Sequence, residues 1–228
     1  MWYLLMAEVK IGRMVMGSYQ TNCYFLYRGD SRDVIVIDPG DQGRGIYNNM
    51  RKHEFVVRAI LLTHGHFDHI WGLDDLRDIV NAAAESDGEP PVKVYACESE
   101  RELLKNIRLN VSELTGRPCS TYADVYLHDG EELVLAGITL RVIATPGHTV
   151  GGCCYYVEEA GILVAGDTLF EESVGRSDFP TGDSGTLIDS IRKKLFVLPD
   201  DTRVYPGHGG STTIGHEKRY NPFCALAD

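Results

Sequence analysis

Short apolar runs closed by polar or glycine-containing turns recur along the chain. Met1–Met16 is rich in apolar and β-branched residues and reads as an opening strand. It has neither a basic leader nor a clear cleavage site, so it does not read as an export signal. Asn22–Tyr27 is aromatic-rich, and Asp33–Asp38 reads as a buried strand stopped by Pro39-Gly40. A helix is expected over Gly45–His53. Val56–Leu62 is another compact apolar run, and it ends abruptly in Thr63-His64-Gly65-His66-Phe67-Asp68-His69. Leu73, Leu76, Ile79 and Val80 repeat near the helical period and predict a helix over Gly72–Ala84. After the polar break Glu85–Pro91 come a short strand, Val92–Ala96, and a helix-like stretch, Glu98–Asn110. Arg117–His128 has no regular pattern and reads as an insertion or an entrance loop.

The second half repeats the logic. Glu132–Leu135 and Ile138–Ala144 are strand-like and turn at Ala136-Gly137. Cys153–Glu158 and Gly161–Ala165 form an expected hairpin. A helix is expected over Ser184–Phe196, then a strand over Thr202–Tyr205 ahead of Pro206-Gly207-His208-Gly209. Two successions of strands with helices outside predict a layered α/β protein. No linker, low-complexity segment or short repeat divides residues 1–228, which are expected to form a single domain.

Composition narrows the function classes. The chain is 43% hydrophobic and 24% charged, an ordinary globular balance that excludes a collagen-like chain and argues against disorder or a coiled coil. Acidic residues number 33 against 22 basic ones, a formal net charge of -11, so no basic footprint for nucleic acid is expected. The apolar runs are too short to span a membrane. The six cysteines lack metal-finger spacing. They read as reduced, mostly buried thiols of a cytoplasmic protein, with Cys153 and Cys154 on opposite faces of one strand. The pattern carries no signal of oligomeric state.

The strongest chemical signal is His64-x-His66-x-Asp68-His69. Imidazole and carboxylate suit borderline divalent metals, and this spacing after a strand can supply two neighbouring sites. Three later residues have the same setting. His148 follows Pro146-Gly147, Asp167 follows Ala165-Gly166, and His208 follows Pro206-Gly207. Each is a polar side chain after an apolar strand and a tight turn, which lets distant ligands converge on one edge of the core. Taken singly, a histidine is usually a surface or hydrogen-bonded residue, and an aspartate often caps a turn. The cluster shifts the balance to metal. His53, His128 and His216 lack this setting and are left outside it.

With these residues assembled, the chain resembles the metallo-beta-lactamase-fold hydrolases over nearly its whole length. The resemblance rests on His64/His66/Asp68/His69, Gly147-His148-Thr149, Gly166-Asp167-Thr168 and His208. It implies a four-layer αβ/βα sandwich with metals at the edge between two sheets. It also implies that His64, His66 and His148 hold one ion, that Asp68, His69 and His208 hold a second, and that Asp167 bridges them. Two divalent ions are implied, zinc foremost, with iron or manganese suited to the same ligand types. Gly166-Asp167-Thr168-Leu169-Phe170 and Gly175-Arg176-Ser177-Asp178-Phe179-Pro180 further resemble small glyoxalase II-like proteins. Val150 stands where that family often has proline. The 20 residues after His208 are expected to be too few for the C-terminal helical region of the long glyoxalase II form.

The implied activity is hydrolysis of small acyl thioesters, 2-hydroxyacyl-thiol conjugates among them, by metal-bound hydroxide. Asp68 and Asp167 are the implied catalytic carboxylates, with Asp68 better used as a ligand than as sole base. Arg176 either binds a substrate carboxylate or orders its loop by pairing with Asp178. Asp38 either orients histidines or stabilises its turn, and Asn22 is expected to tie strands or a metal-side loop together. Competing readings are a mononuclear-iron persulfide dioxygenase using His64, His148 and Asp167, hydrolysis of a beta-lactam or phosphodiester, and a non-enzymatic metal-binding protein.

Overall fold

Successive side chains of a strand point to opposite faces, so a fully apolar strand needs a hydrophobic layer on each side. That demand organises the computed structural model, which describes residues 7–225. Its first sheet takes six strands in chain order: β1 (Val9–Met16), β2 (Thr21–Arg28), β3 (Asp33–Ile37), β4 (Val56–Leu61), β5 (Lys93–Cys97) and β6 (Val125–Leu127). β1, β2 and β3 pair antiparallel, whereas β3 through β6 pair parallel. Parallel neighbours need crossovers. These carry α1 (Gly43–Lys52), the short α2 (Phe67–Ile70), α3 (Leu73–Asp87) and α4 (Arg101–Lys105).

The second sheet is built from β7 (Glu132–Leu135), β8 (Ile138–Ala144), β9 (Cys153–Val157), β10 (Ile162–Gly166), β13 (Arg203–Pro206) and β14 (Thr212–Thr213). Its spatial order is β14-β13-β10-β9-β8-β7, with only β10 and β13 parallel. A small hairpin, β11 (Leu169–Phe170) with β12 (Ser173–Val174), follows β10. Helices α5 (Ser184–Ser190) and α6 (Ile214–Tyr220) complete the chain.

The alternation sorts the core into three apolar layers. Val34, Val36, Ile60 and Leu62 face α1 and α3, where Ile46, Met50, Leu73 and Leu76 meet them. Ile35, Ile37, Ala59 and Leu61 face the other sheet, meeting Cys153, Tyr155, Ile162 and Val164. Cys154, Tyr156, Leu163 and Ala165 turn outward onto Leu187, Ile191 and Leu195. Two mixed sheets packed face to face with helices outside make an αβ/βα sandwich. Cys153 and Cys154 do lie on opposite faces, and all six cysteines are free. No helix among the described residues is long and apolar enough to cross a membrane.

Several elements differ from the sequence reading. The opening strand begins at Val9, and Met1–Met6 lie outside the described residues. The stretch Glu98–Asn110 is a 3-10 turn followed by α4, which stops at Lys105. Asn106 ends it, because its side-chain oxygen accepts from the backbone N–H of Arg108 at 3.0 Å and offers the chain a non-helical path. Arg117–His128 contains β6, whose three residues are too few to show periodicity. The helix expected over Ser184–Phe196 is α-helical only to Ser190 and then widens into a π turn.

Candidate metal centre

The chain leaves β4, β8, β10 and β13 at one edge of the sandwich, and each exit delivers a polar side chain. Leu62 and Thr63 lead to His64 and His66, Thr145-Pro146-Gly147 lead to His148, Gly166 leads to Asp167, and Gly207 leads to His208. His66 has extended backbone and begins α2, whose first turn presents Asp68 and His69. A stretch of four helical residues inside a polar motif leaves no periodic trace in the sequence.

All the expected ligands converge. His66 Nδ1 lies 2.9 Å from His148 Nε2, which lies 3.2 Å from His64 Nε2. His208 Nε2 lies 3.2 Å from Asp68 Oδ2 and 3.5 Å from Asp167 Oδ2. Asp167 Oδ1 lies 3.5 Å from His69 Nε2, and its Oδ2 lies 3.6 Å from His148 Nε2. Three overlapping groups can each hold an ion: His64/His66/His148, His64/His69/Asp167 and Asp68/His69/His208, with ligand atoms within 4.8 Å of one another.

The donor set fits divalent cations. His69 Nε2 and Asp167 Oδ1 are buried without a hydrogen-bond partner. Leaving such atoms unpaired is costly, and a cation between them removes the cost. Imidazole with carboxylate and no thiolate suits zinc, iron or manganese alike.

Hydrogen bonds behind the ligands fix their tautomers. His148 Nδ1 faces the carbonyl of Arg176 at 2.6 Å, and His208 Nδ1 faces that of Tyr19 at 3.1 Å. A carbonyl only accepts, so Nδ1 carries the proton and Nε2 offers its lone pair to the site. His69 Nδ1 lies 3.0 Å from Asp38 Oδ2. Asp38 also accepts from Thr63, through its hydroxyl at 2.6 Å and its backbone N–H at 2.8 Å. Asp38 therefore orients a histidine and holds its turn, at a backbone φ of 52° that a non-glycine residue rarely adopts. Asn22 ties β2 to the His208 loop, donating to the carbonyls of Pro206 at 2.8 Å and Gly209 at 3.1 Å.

Charge divides the site. Burial and the neighbouring imidazoles hold His64 well below the usual histidine range, and burial with His148 beside it lowers His66 to about 3. Burial also opposes charge on His69 and His208. The carboxylates outweigh it, leaving His69 well above its ordinary value and His208 at about 9. Burial works against Asp167 and Asp68 as well, yet His69 and His208 draw both below the usual carboxylate range. In the ion-free protein a raised imidazole stabilises the fold below its ordinary value of 6.5, and that contribution is lost as pH rises toward 9.

Metal must displace those protons. We expect apparent affinity at Asp68/His69/His208 to climb about tenfold per pH unit for each proton expelled, with the His208 share of that climb ending near pH 9. Affinity at His64/His66/His148 is expected to vary less above pH 6, because His64 and His66 are already neutral. Zinc titration with a competing chelator from pH 6 to 9 checks this; two parallel pH profiles would contradict it.

The side chain of Arg176 pairs outside this cluster. Its guanidinium is bidentate to Asp178, at 2.8 and 2.7 Å, and lies 3.7 Å over the ring of Phe179. Phe179 in turn meets the edge of His66 at 5.5 Å between centroids. Sequence reading missed Thr63, the Tyr19 carbonyl and Glu100, which is 1% exposed and accepts from Gly65 and Gly151. Backbone carbonyls leave no mark in a sequence. Glu100 does follow a strand end, like the ligands, but it is hidden in the acidic run Glu98-Ser99-Glu100-Arg101-Glu102. His53 caps α1, and His216 pairs with Glu172, as residues outside the cluster.

Fold and site together define a metal-dependent hydrolase. The chain belongs to the metallo-beta-lactamase superfamily, whose sequence profile matches residues 16–208. It is 38% identical over 231 residues to a probable metallo-hydrolase of Streptococcus pyogenes, covering 97% of this chain and 92% of that one. It is 34% identical over 212 residues to the hydroxyacylglutathione hydrolase GloC of Haemophilus influenzae, covering 90% and 93%. Among solved structures, the BLEG-1 B3 metallo-beta-lactamase superposes with a TM-score of 0.83 at 37% identity, covering 94% of this chain and 99% of that one. TTHA1623 in a di-iron-bound form gives a TM-score of 0.78 at 33% identity, covering 93% and 99%.

Proposed function

We propose that this protein hydrolyses small acyl thioesters, 2-hydroxyacyl-thiol conjugates among them, at a two-ion centre. The observation that carries the reading is the position of Asp167. Its two oxygens lie 3.5 Å from His69, 3.6 Å from His148 and 3.5 Å from His208, so one carboxylate touches both ligand groups. In this reading His64, His66 and His148 hold one ion, Asp68, His69 and His208 hold the other, and Asp167 is shared. Zinc is the proposed metal. When bound, the ions lower the pKa of water and polarise a carbonyl. The hydroxyacylglutathione hydrolase among the relatives supports the thioester as substrate.

The chain's own residues do the rest. Asp68 and Asp167 offset the charge of two cations that would otherwise repel. Phe179 beside His66 and Phe170, 6.4 Å from His208, give the centre apolar flanks that exclude bulk water from the acyl group. Arg176 orders the loop whose carbonyl holds His148, through the pair that its Nε and Nη2 make with Asp178. Water adds to the acyl carbon, the carbon–sulfur bond breaks, and the sulfur leaves with the electron pair; one proton of the water goes to the sulfur to give the thiol, the other to solvent, and the acyl group departs as a carboxylate.

A second reading is beta-lactam hydrolysis, favoured by the similarity to BLEG-1. Zinc-loaded protein assayed against lactoyl-glutathione, thioesters of other small thiols and a chromogenic cephalosporin separates the two. The proposal expects kcat/KM of about 10⁴ M⁻¹s⁻¹ or more on at least one thioester. Efficient turnover of the cephalosporin alone would replace it. Oxygen uptake with a thiol persulfide and one iron per chain would move the protein to the dioxygenase reading.

A further inference from the structure

A carboxylate buried without a cation needs a full set of hydrogen-bond donors. Glu100 is 1% exposed, and no ion pair involves it among the described residues. Its donors come from two places. Oε2 accepts from the backbone N–H of Gly65 at 2.7 Å. Oε1 accepts from the Thr149 hydroxyl at 2.7 Å and from the backbone N–H of Gly151 at 2.8 Å. Gly65 is the residue between His64 and His66, and Thr149 is the residue after His148. One carboxylate thus joins the ligand loop of the first sheet to the ligand loop of the second.

The surroundings are shaped for that approach. A Cβ at Gly151 would lie 2.6 Å from the Glu100 nitrogen and 2.9 Å from Oε1. One at Gly65 would lie 2.8 Å from Leu103 and Leu104 and 3.2 Å from Oε2. Two of the three contacts of Glu100 are therefore made through glycines that leave it room. Neither loop it holds carries Asp68 or His208. Those lean instead on other groups: the Asp68 carboxylate accepts from the Thr21 hydroxyl at 3.2 Å, and His208 rests on the Tyr19 carbonyl.

We propose that Glu100 is the positioning residue of the His64/His66/His148 group, clamping its two loops at ligand spacing while leaving the Asp68/His69/His208 group to other supports. The inference rests on the two-ion reading of the site and not on the thioester as substrate. Burial pushes the Glu100 carboxyl upward while its three donors oppose that, in keeping with a group held by hydrogen bonds and not by a neighbouring cation.

Glu100→Gln tests it. The amide keeps the shape but turns an NH₂ toward at least one N–H or O–H that needs an acceptor. Zinc affinity is read by chelator competition in two backgrounds, His208→Ala, which reports the first group, and His148→Ala, which reports the second. Glu100→Gln should weaken zinc about 10–100-fold in the first background. In the second it should stay within about twofold. Hydrogen exchange at the Gly65 and Gly151 amides of zinc-free protein should accelerate as well. If Glu100→Gln does not fold by circular dichroism, Thr149→Val, which removes one donor alone, decides by the same asymmetry. Equal losses in the two backgrounds, or none, would overturn the role of Glu100. Wild-type protein that binds no zinc would overturn it together with the site reading, whereas failure on every thioester would leave it standing.

Discussion

Asp167→Asn is expected to cut thioester turnover by on the order of 10²–10³-fold or more, the scale of losing one group from a preorganised electrostatic site. Asparagine matches the shape of aspartate, so the fold should persist. The charge does not persist, and a donor NH₂ replaces one of two oxygens that face imidazole nitrogens on three sides. Two carboxylates, Asp68 and Asp167, face two dications in this account; with one removed, repulsion between the ions rises and one of them should leave. The signature is therefore a fall in both kcat and metal content, measured by elemental analysis after dialysis, with an unchanged far-UV spectrum. Two retained ions with kcat within about threefold of wild type, too small a change for a shared ligand, would contradict the assignment.

Gly207→Ala is expected to have a comparable effect without touching a ligand. A Cβ there would overlap Asp167 Oδ1 and lie 2.7 Å from His69 Cε1. Packing this tight cannot absorb a methyl group, so Asp167 and His69 must shift together. We expect loss of one ion and at least about 10²-fold of turnover, the cost of small misplacements at a reacting centre. Gly161→Ala is the matched control. Its added Cβ meets nothing within 4 Å, and its cost is only that of a left-handed backbone at φ 58°, about 1–2 kcal/mol of stability. Metal content and thermal midpoints of the two variants separate misplacement of ligands from general destabilisation.

The candidate ligands were legible in the sequence because each lies just beyond the end of a strand, and the strand ahead of Asp167 is buried on both faces. Ala59–Leu62 and Ile162–Ala165 stand out as continuous hydrophobic runs, and a histidine or aspartate just beyond such a run is conspicuous. The layered α/β architecture was legible for the same reason. What could not be read is what the ligands lean on. The Tyr19 and Arg176 carbonyls that fix two imidazole tautomers carry no side-chain signature. Glu100 sits among other acids, and only the fold distinguishes the one turned inward. Element ends blurred where local side-chain bonding overrode periodicity, as Asn106 does in stopping α4. Of the two uses weighed for Arg176, the pair with Asp178 is visible only in the structure, because it needs the loop conformation that brings them together.

Reconstitution of stripped protein tests the central claim most directly. Ion-free protein is titrated with zinc while lactoyl-glutathione hydrolysis and bound metal are followed on the same sample. The account predicts that turnover is absent without metal, remains low through the first equivalent and reaches its plateau near two ions per chain. Full turnover at one ion, or undiminished turnover in the stripped protein, would contradict a two-ion centre joined by Asp167.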